Sequence, residues 1–383
     1  MFMIRPLWIV LILFLPLLVN AKTTPADVLN DNELVEALIA SPVDLISERV
    51  QESYAFYGLA SYYNNVNYYI IENDELRRIN EGEVIELSQD QWLAVVGRHN
   101  VLLVQAIGLS VHLDESMLFI DNPEMLNQST VNVKFVTKSE LSSNTPKLDQ
   151  IRYAHLWGPL AWLAKVVESS LVAIQGNIVS SWGLALVVFS MLLKILLLPV
   201  SVMTVRFQRR VSQVQTQLAP QLAEIKANYD GEEAHNHLMA AHKRLGVSPF
   251  YTLKPMLGSF IQIPILIAVF NALGEMPQFM GQPFLWIENL AYPDVVASLP
   301  FSIPMFGDTI SLLPFLMTLI TIYSTVIFQN RHASEVEMAS QKRNLYLMAM
   351  TFCILFYPFP AVMVLYWALA NIIQTVQQQM IKI

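Results

Sequence analysis

Apolar and polar positions follow three regimes along this chain. In "DNELVEALIASPVDLISERVQESYAFYGLASYYNN" Leu34, Leu38 and Leu45 recur at helical spacing, with Arg49 on an alternate face. Beyond Asn80 the period shortens toward two, in "EVIEL", "WLAVVG", "NVLLVQAIGLSVHL", "SMLFI" and "TVNVKFVTK". Residues 22–150 therefore read as a small α+β domain, a helix pair followed by a small antiparallel sheet. "SELSSNTPKLDQ" reads as a linker, rich in turn formers. Within 151–181, Trp157, Leu160, Leu163, Val167 and Leu171 share one helical side, while Lys165, Glu168 and Ser169 fall on the other. That pattern predicts an amphipathic helix lying in a membrane interface.

The third regime is apolar nearly throughout, in five segments at about 182–204, 256–275, 311–329, 345–358 and 361–380, against the roughly 20 residues a bilayer span requires. The fourth is short, about 14 residues or roughly 21 Å of helix. Only "PFP" separates it from the fifth, which predicts a tight turn. Between the first two segments, residues 205–250 read as a helical hairpin. Val211, Val214, Leu218, Leu222, Ile225 and Tyr229 line one side of its first arm, which Pro220 is expected to bend or interrupt. Asp230 caps a second arm closed by Gly246.

Charge orients this plan. There are seven Lys/Arg from Arg206 to Lys254, none from there to Arg331, and then Arg331, Lys342, Arg343 and Lys382. Bases concentrate on cytoplasmic loops, so the N-terminus is expected outside and the C-terminus inside. Residues 1–21 have the form of a signal peptide: Arg5, then "LWIVLILFLPLLV", then "VNA". The expected fold is mainly α, a polytopic membrane protein with five core transmembrane helices (182–383), a cytoplasmic helical hairpin and a small α+β extracytoplasmic domain. A hydrophobic content of 54% with 14% charged residues excludes disorder. Residues 22–155 carry 9 Lys/Arg against 20 Asp/Glu, which argues against nucleic acid as a partner there. A single cysteine, Cys353, excludes an internal disulfide and a thiolate-rich metal site.

The candidate chemistry lies inside the apolar segments. "SWGLALVVFSMLLKILLLPVS" carries Lys194 near its centre, where a charge costs roughly 2.5–3.5 kcal/mol on insertion scales. Ser190, Lys194 and Ser201 share a face. The second segment carries Gln262, the third Thr318, Thr321 and Thr325, and the fifth Trp367, Asn371, Gln374 and Gln378. Such residues serve either as helix–helix hydrogen bonds or as the lining of a wet cavity. No Asp or Glu lies within the five apolar cores, Glu275 being at an end. A water-filled, cationic groove is therefore the economical reading for Lys194. His235, His237 and His242 fit a solvated helix face better than a tetrahedral metal set. There is no phosphate loop, nucleophile elbow or H-E-x-x-H, so no cofactor and no enzyme activity is implied.

Residues 155–383 carry, in order, "WG" followed by "LLKILLLPVS", then "QLAPQLAEIKANY", "LGVSPF", "PMLGSFIQIPILIAVFNAL", "PFLWIENL" and "FPFPAVMVLYWALANIIQTVQQQMI". On these motifs the chain resembles the YidC/Oxa/Alb family of membrane protein insertases. The resemblance implies five core spans and a cytoplasm-open hydrophilic groove bearing one positive charge, in a bacterial inner membrane. Lys194 stands where the family usually has Arg, and Gln262 and Trp367 match groove-lining positions; Ser190, Asn371 and Gln374 complete the candidate groove. Nascent membrane proteins are the implied clients, with membrane lipids, a Sec translocon and the ribosome as further partners. The sequence runs four residues past "QQQ" without a basic tail, so tethering to ribosomes through such a tail is not expected. An anion-binding transporter or channel, and a chaperone that holds clients without inserting them, are the competing classes.

Overall fold

A computed structural model describes residues 31–73, 75–128, 130–141, 146–244, 256–304, 306–327 and 335–380. The expected leader at 1–21 and the helix stop at Gly246 lie outside the described residues. The protein is mainly helical with antiparallel sheets and divides into two compact units, Met1–Ser190 with Phe270–Ile383, and Met191–Val269.

The first unit begins with helix α1 (Asp31–Ala40) and a helical turn, Pro42–Leu45, whose Ser41 Oγ accepts from Asp44 N at 3.2 Å. Eight strands follow: β1 (Asn67–Glu72), β2 (Glu75–Arg78), β3 (Val84–Glu86), β4 (Trp92–Val96), β5 (Asn100–Gln105), β6 (Ser110–Asp114), β7 (Met117–Ile120) and β8 (Asn132–Thr137). They form two sheets rather than the single small one expected, in the orders β2-β1-β4-β5-β8 and β3-β6-β7. The hairpin β6–β7 leaves the larger sheet between β5 and β8, and its Val111, Leu113 and Leu118 join Tyr68, Ile70, Val95, Leu102 and Val104 in one core with Leu34 and Leu38 of α1. The opposite face of the larger sheet buries Tyr69, Ile71, Ala94, Val101 and Leu103 against Leu141, Leu148 and Ile151. The stretch that reads as a linker is therefore partly a cover. Two buried faces explain why β4 and β5 read as continuous apolar runs rather than alternating ones.

Helix α2 (Gly158–Asn177) differs from its expected faces. Trp157 is exposed, whereas Glu168 is buried beside Val167 and Leu171. Its carboxylate accepts from Tyr153 Oη at 2.8 Å and faces Arg152 Nη1 at 3.5 Å. A carboxylate this deep is tolerable only with such partners.

A belt of buried charge joins these elements to the apolar helices of the same unit. Arg98, 4% exposed, lies over the adjoining rings of Phe56 (4.7 Å) and Tyr63 (4.4 Å). It donates to Gly274 O (2.7 Å), Ala291 O (2.9 Å) and Glu52 Oε2 (3.3 Å). Tyr292 Oη donates to Glu52 Oε1 at 2.8 Å, and Lys138 Nζ to Glu275 Oε2 at 2.7 Å. Gly274 is required where it stands, because a Cβ there would meet the Tyr63 phenol, which in turn donates to Met363 Sδ at 3.2 Å. Burial pushes His99 down to about 4, with the Arg98 charge adding to the effect, so its imidazole is neutral at neutral pH. Burial alone would raise Glu52, but the His99 hydrogen bond and the charges of His99 and Arg98 outweigh it and hold the carboxyl at about 2.

The remaining helices are α3 (Trp182–Leu196), α4 (Leu198–Asn228), α5 (Gly231–Arg244), α6 (Met256–Glu275), α7 (Leu313–Ile327), α8 (Glu335–Phe356) and α9 (Ala361–Met380). Between α6 and α7 the chain forms a ribbon that the hydropathy pattern did not announce, β9 (Val295–Ile303) with β10 (Gly307–Ser311). α8 starts well before the expected fourth segment, and only Tyr346–Phe356 is apolar. Among the described residues no single helix is long and apolar enough to cross a membrane. One bent pair, Trp182–Leu196 with Leu198–Thr204 at 54°, passes on length and composition. Pro199 accounts for the bend, since it cannot donate to the Ile195 carbonyl. In the second unit α4 is continuous through position 220, contrary to the expected interruption. Its Leu218 is fully covered and packs with Val211, Val214, Leu222, Ile225 and Ala241, so the apolar stripe holds the helix across a missing backbone hydrogen bond.

Replacing Arg98 by Met should leave Glu52 buried without its charged partner, at about 3–5 kcal/mol, read as lost protease resistance of residues 31–151 and a lowered unfolding midpoint. His99, depressed from 6.5 to about 4, takes its proton first in the unfolded chain, so stability should fall as pH drops from 6.5 to about 4. Glu52 adds a second loss as pH drops below 4.5 toward 2. Thermal midpoints in detergent should show the first window in the wild type and not in His99→Gln.

Candidate functional site

Lys194 is 7% exposed and Ser190 1%, while Met191, Leu192, Ile195 and Leu196 on the same helix are all exposed. The ammonium position is thus on the covered side of α3, and the apolar side chains are outward. This is the reverse of a snorkelling lysine, whose stem lies along the lipid face. Ser190 Oγ donates to Leu186 O at 2.7 Å and so satisfies itself on its own helix. Gln262 is exposed on α6, two residues before Pro264, which lies inside that helix.

The other candidates are on α9. Trp367 is stacked on Phe270 (centroids 5.7 Å, planes 18° apart) and flanked by Phe352 at 5.3 Å and Phe356 at 5.1 Å. Asn371 Nδ2 donates to Thr321 Oγ1 at 3.1 Å. Thr375 Oγ1, which the sequence did not single out, donates to Ser324 Oγ at 2.6 Å. Thr321 and Thr318 also bond their own helix, to Met317 O at 2.9 Å and Pro314 O at 2.7 Å. The polar stripes of α7 and α9 therefore meet one another, with Gln374 exposed; the side chains of Thr325 and Gln378 lie outside the described residues. Lys194 and Gln262 belong to the second compact unit; Ser190, Trp367, Asn371 and Gln374 belong to the first.

The charged belt escaped sequence reasoning, because Glu52, Arg98, Lys138, His155 and Glu275 are scattered over more than 220 positions. The one available signal was the terminal position of Glu275 on an apolar run. Beside the belt lies a cavity of about 200 Å³ lined by Tyr62, Tyr63, Arg98, Lys138, His155 and Glu275. Its ionic groups are engaged with one another: Glu275 Oε1 faces His155 Nε2 at 3.2 Å, and Glu275 Oε2 holds Lys138. Burial pushes the Tyr63 phenol up to about 12, which leaves it protonated. Nothing here forms an acid–base pair aimed at a reacting atom. His235 and His237 are exposed on α5, the latter stacked on Tyr229 at 4.1 Å. Among the described residues no cluster of three His, Cys, Asp or Glu side chains could hold a metal.

The family described as "60Kd inner membrane protein" matches residues 174–383. Similar curated proteins bear the name membrane protein insertase YidC. That of Amoebophilus asiaticus is 28% identical over 229 residues, 59% of this chain and 37% of its own length. That of Chlorobium limicola is 27% identical over 245 residues, 63% and 40%, and that of Chlamydia trachomatis 31% over 204 residues, 52% and 25%. The chain thus matches less than half the length of these relatives.

Asn371→Leu removes one interhelical hydrogen bond, a loss of about 0.6 kcal/mol for such bonds in membrane proteins. Thermal unfolding of the purified variant in detergent should shift only slightly. A large loss would mean that the amide holds more than the contact to Thr321.

Proposed function

Because the chain belongs to the YidC/Oxa/Alb family, the 60Kd inner membrane proteins, we propose that it is a membrane protein insertase that moves polar segments of nascent membrane proteins across the bilayer and helps the inserted proteins fold. The family is one of insertases rather than enzymes. The apolar segments and the resemblance support five crossings, and the distribution of bases supports residues 22–181 outside and the C-terminus in the cytoplasm.

The working groove is assigned by resemblance to Ser190, Lys194, Gln262, Trp367, Asn371 and Gln374. The observation that carries the mechanism is the covered position of Lys194 on a helix whose apolar side chains face out. A charge in that position is tolerable only in polar or hydrated surroundings. A wet path reaching the middle of the membrane shortens the dry distance that a polar tail must cross. The Lys194 ammonium then offsets the desolvation of acidic residues in that tail. No nucleotide is needed, since burying the client's own apolar span in lipid supplies about 25 cal/mol per Å². The apolar part of α8, Tyr346–Phe356, is shorter than the roughly 20 residues of a full span, so local thinning of the bilayer further lowers the barrier. The hairpin of α4 and α5 is suited to receive the client on the cytoplasmic side. A ribosome and a Sec translocon are the further partners that the resemblance implies.

Lysine keeps the charge of the usual arginine but not its planar set of donors. If field attraction is what matters, Lys194→Arg should insert clients normally in an insertase-depleted strain. Lys194→Glu should fail for clients with acidic translocated tails and still serve those with neutral tails. Equal insertion of acidic-tailed clients by the Glu variant would sink the electrostatic role.

A further inference from the structure

Strand β9, "VVASLPFSI", contains no ionisable residue, and the uncharged run continues to Gly307. Val295, Val296, Phe301 and Ile303 are all exposed, Phe301 by 61%. Its partner β10 is four residues shorter and pairs irregularly: Ile303 faces Gly307 and Ser298 faces Thr309, so Leu299, Pro300, Phe301 and Ser302 stand opposite Asp308 alone. The bulge that results pushes an apolar stretch outward.

The base of this ribbon is pinned. Asp294 accepts from Leu313 N at 2.6 Å, Leu312 N at 3.2 Å and Trp286 Nε1 at 3.1 Å, which caps α7 and ties the strand to it. Tyr357, in the turn between α8 and α9, donates to Thr309 O at 2.8 Å and meets Phe306 edge-on at 5.0 Å. The exposed apolar surface of β9 therefore continues into exposed Leu312, Phe315 and Leu319 at the start of α7.

An uncharged, exposed strand suits either another strand or hydrocarbon. Strand addition needs a regular row of donors and acceptors, which Pro300 and the bulge interrupt. Lipid needs apolar side chains free of charge, with backbone groups kept near the headgroups, where water and phosphates can satisfy them. We propose that β9 is a membrane anchor, lying in the outer-leaflet interface with Val295, Val296, Phe301 and Ile303 among the upper acyl chains and Trp286 at the headgroup rim. The inference rests on α7 being a membrane helix and does not depend on insertion activity.

The test uses the full chain with Cys353→Ser, carrying an environment-sensitive fluorophore at Phe301→Cys or Val296→Cys. Leu319→Cys on α7 serves as the lipid reference and the exposed Val84→Cys on β3 as the aqueous one. The proteins are reconstituted in phosphatidylethanolamine–phosphatidylglycerol vesicles. At positions 301 and 296, iodide quenching should fall severalfold below that at 84, and lipids brominated high on the acyl chain should quench strongly. Iodide quenching equal to that at position 84, with 319 lipid-shielded, overturns the anchor while the membrane helix stands. If 319 is also aqueous, the anchor and the membrane reading fall together. Shielding lost on diluting the protein in lipid would assign the strand to a second copy, and would equally overturn it.

Discussion

The guanidinium of Arg98 rests against two adjoining aromatic rings, and its donors end on two backbone carbonyls of the helical part and one carboxylate of the sheet domain. The carbonyls of Gly274 and Ala291 lie at the end of α6 and in the segment after it, where the chain leaves its helix and needs donors. Glu52 would be untenable without a cation, and Arg98 without its acceptors. The residues around the pair follow from it. Gly274 has no side chain because Tyr63 occupies that space, and His99 is neutral because burial disfavours its charged form and the Arg98 charge adds to that. Lys138 with Glu275 and Arg152 with Glu168 repeat the arrangement along the same boundary.

Polar groups in the apolar helices follow the opposite rule. On α7 and α9 hydroxyls and amides bond to their own helix or to the facing one, and they do so without ionic groups. Lys194 departs from this pattern: it is an ion on the covered side of a helix whose neighbouring exposed side chains are apolar. Side chains that bond locally stabilise a helix pair wherever they occur, whereas a charge in such a place needs a dedicated environment. That contrast is why the mechanism is attached to Lys194, while Asn371 is both a groove candidate and a helix contact.

The candidate residues were picked out one by one. Lys194 stands out because a lone charge interrupts a long apolar run, and the α7 and α9 stripes because their spacing is helical. The belt was not legible, since its partners are brought together only when a strand loop, a connector and a helix end converge. Glu168 misled for the same reason: helical spacing gives the side of a residue, not whether that side carries a buried counter-charge.

The sequence by itself determined the apolar helices, the amphipathic hairpin, the strand-rich character of the region before residue 140 and the family. All of these depend on hydrophobic period and local motifs, which are properties of neighbouring residues. Only the tertiary structure decided that the strands split into two sheets sharing a core, that Leu141, Leu148 and Ile151 cover the larger one, and that an uncharged ribbon emerges ahead of α7. These outcomes depend on which distant surfaces can be buried together, and no local period carries that information. Pro220 illustrates the difference. Its ring removes one backbone hydrogen bond wherever it occurs, yet packing along the Leu218 stripe, visible only in the folded hairpin, keeps the helix whole.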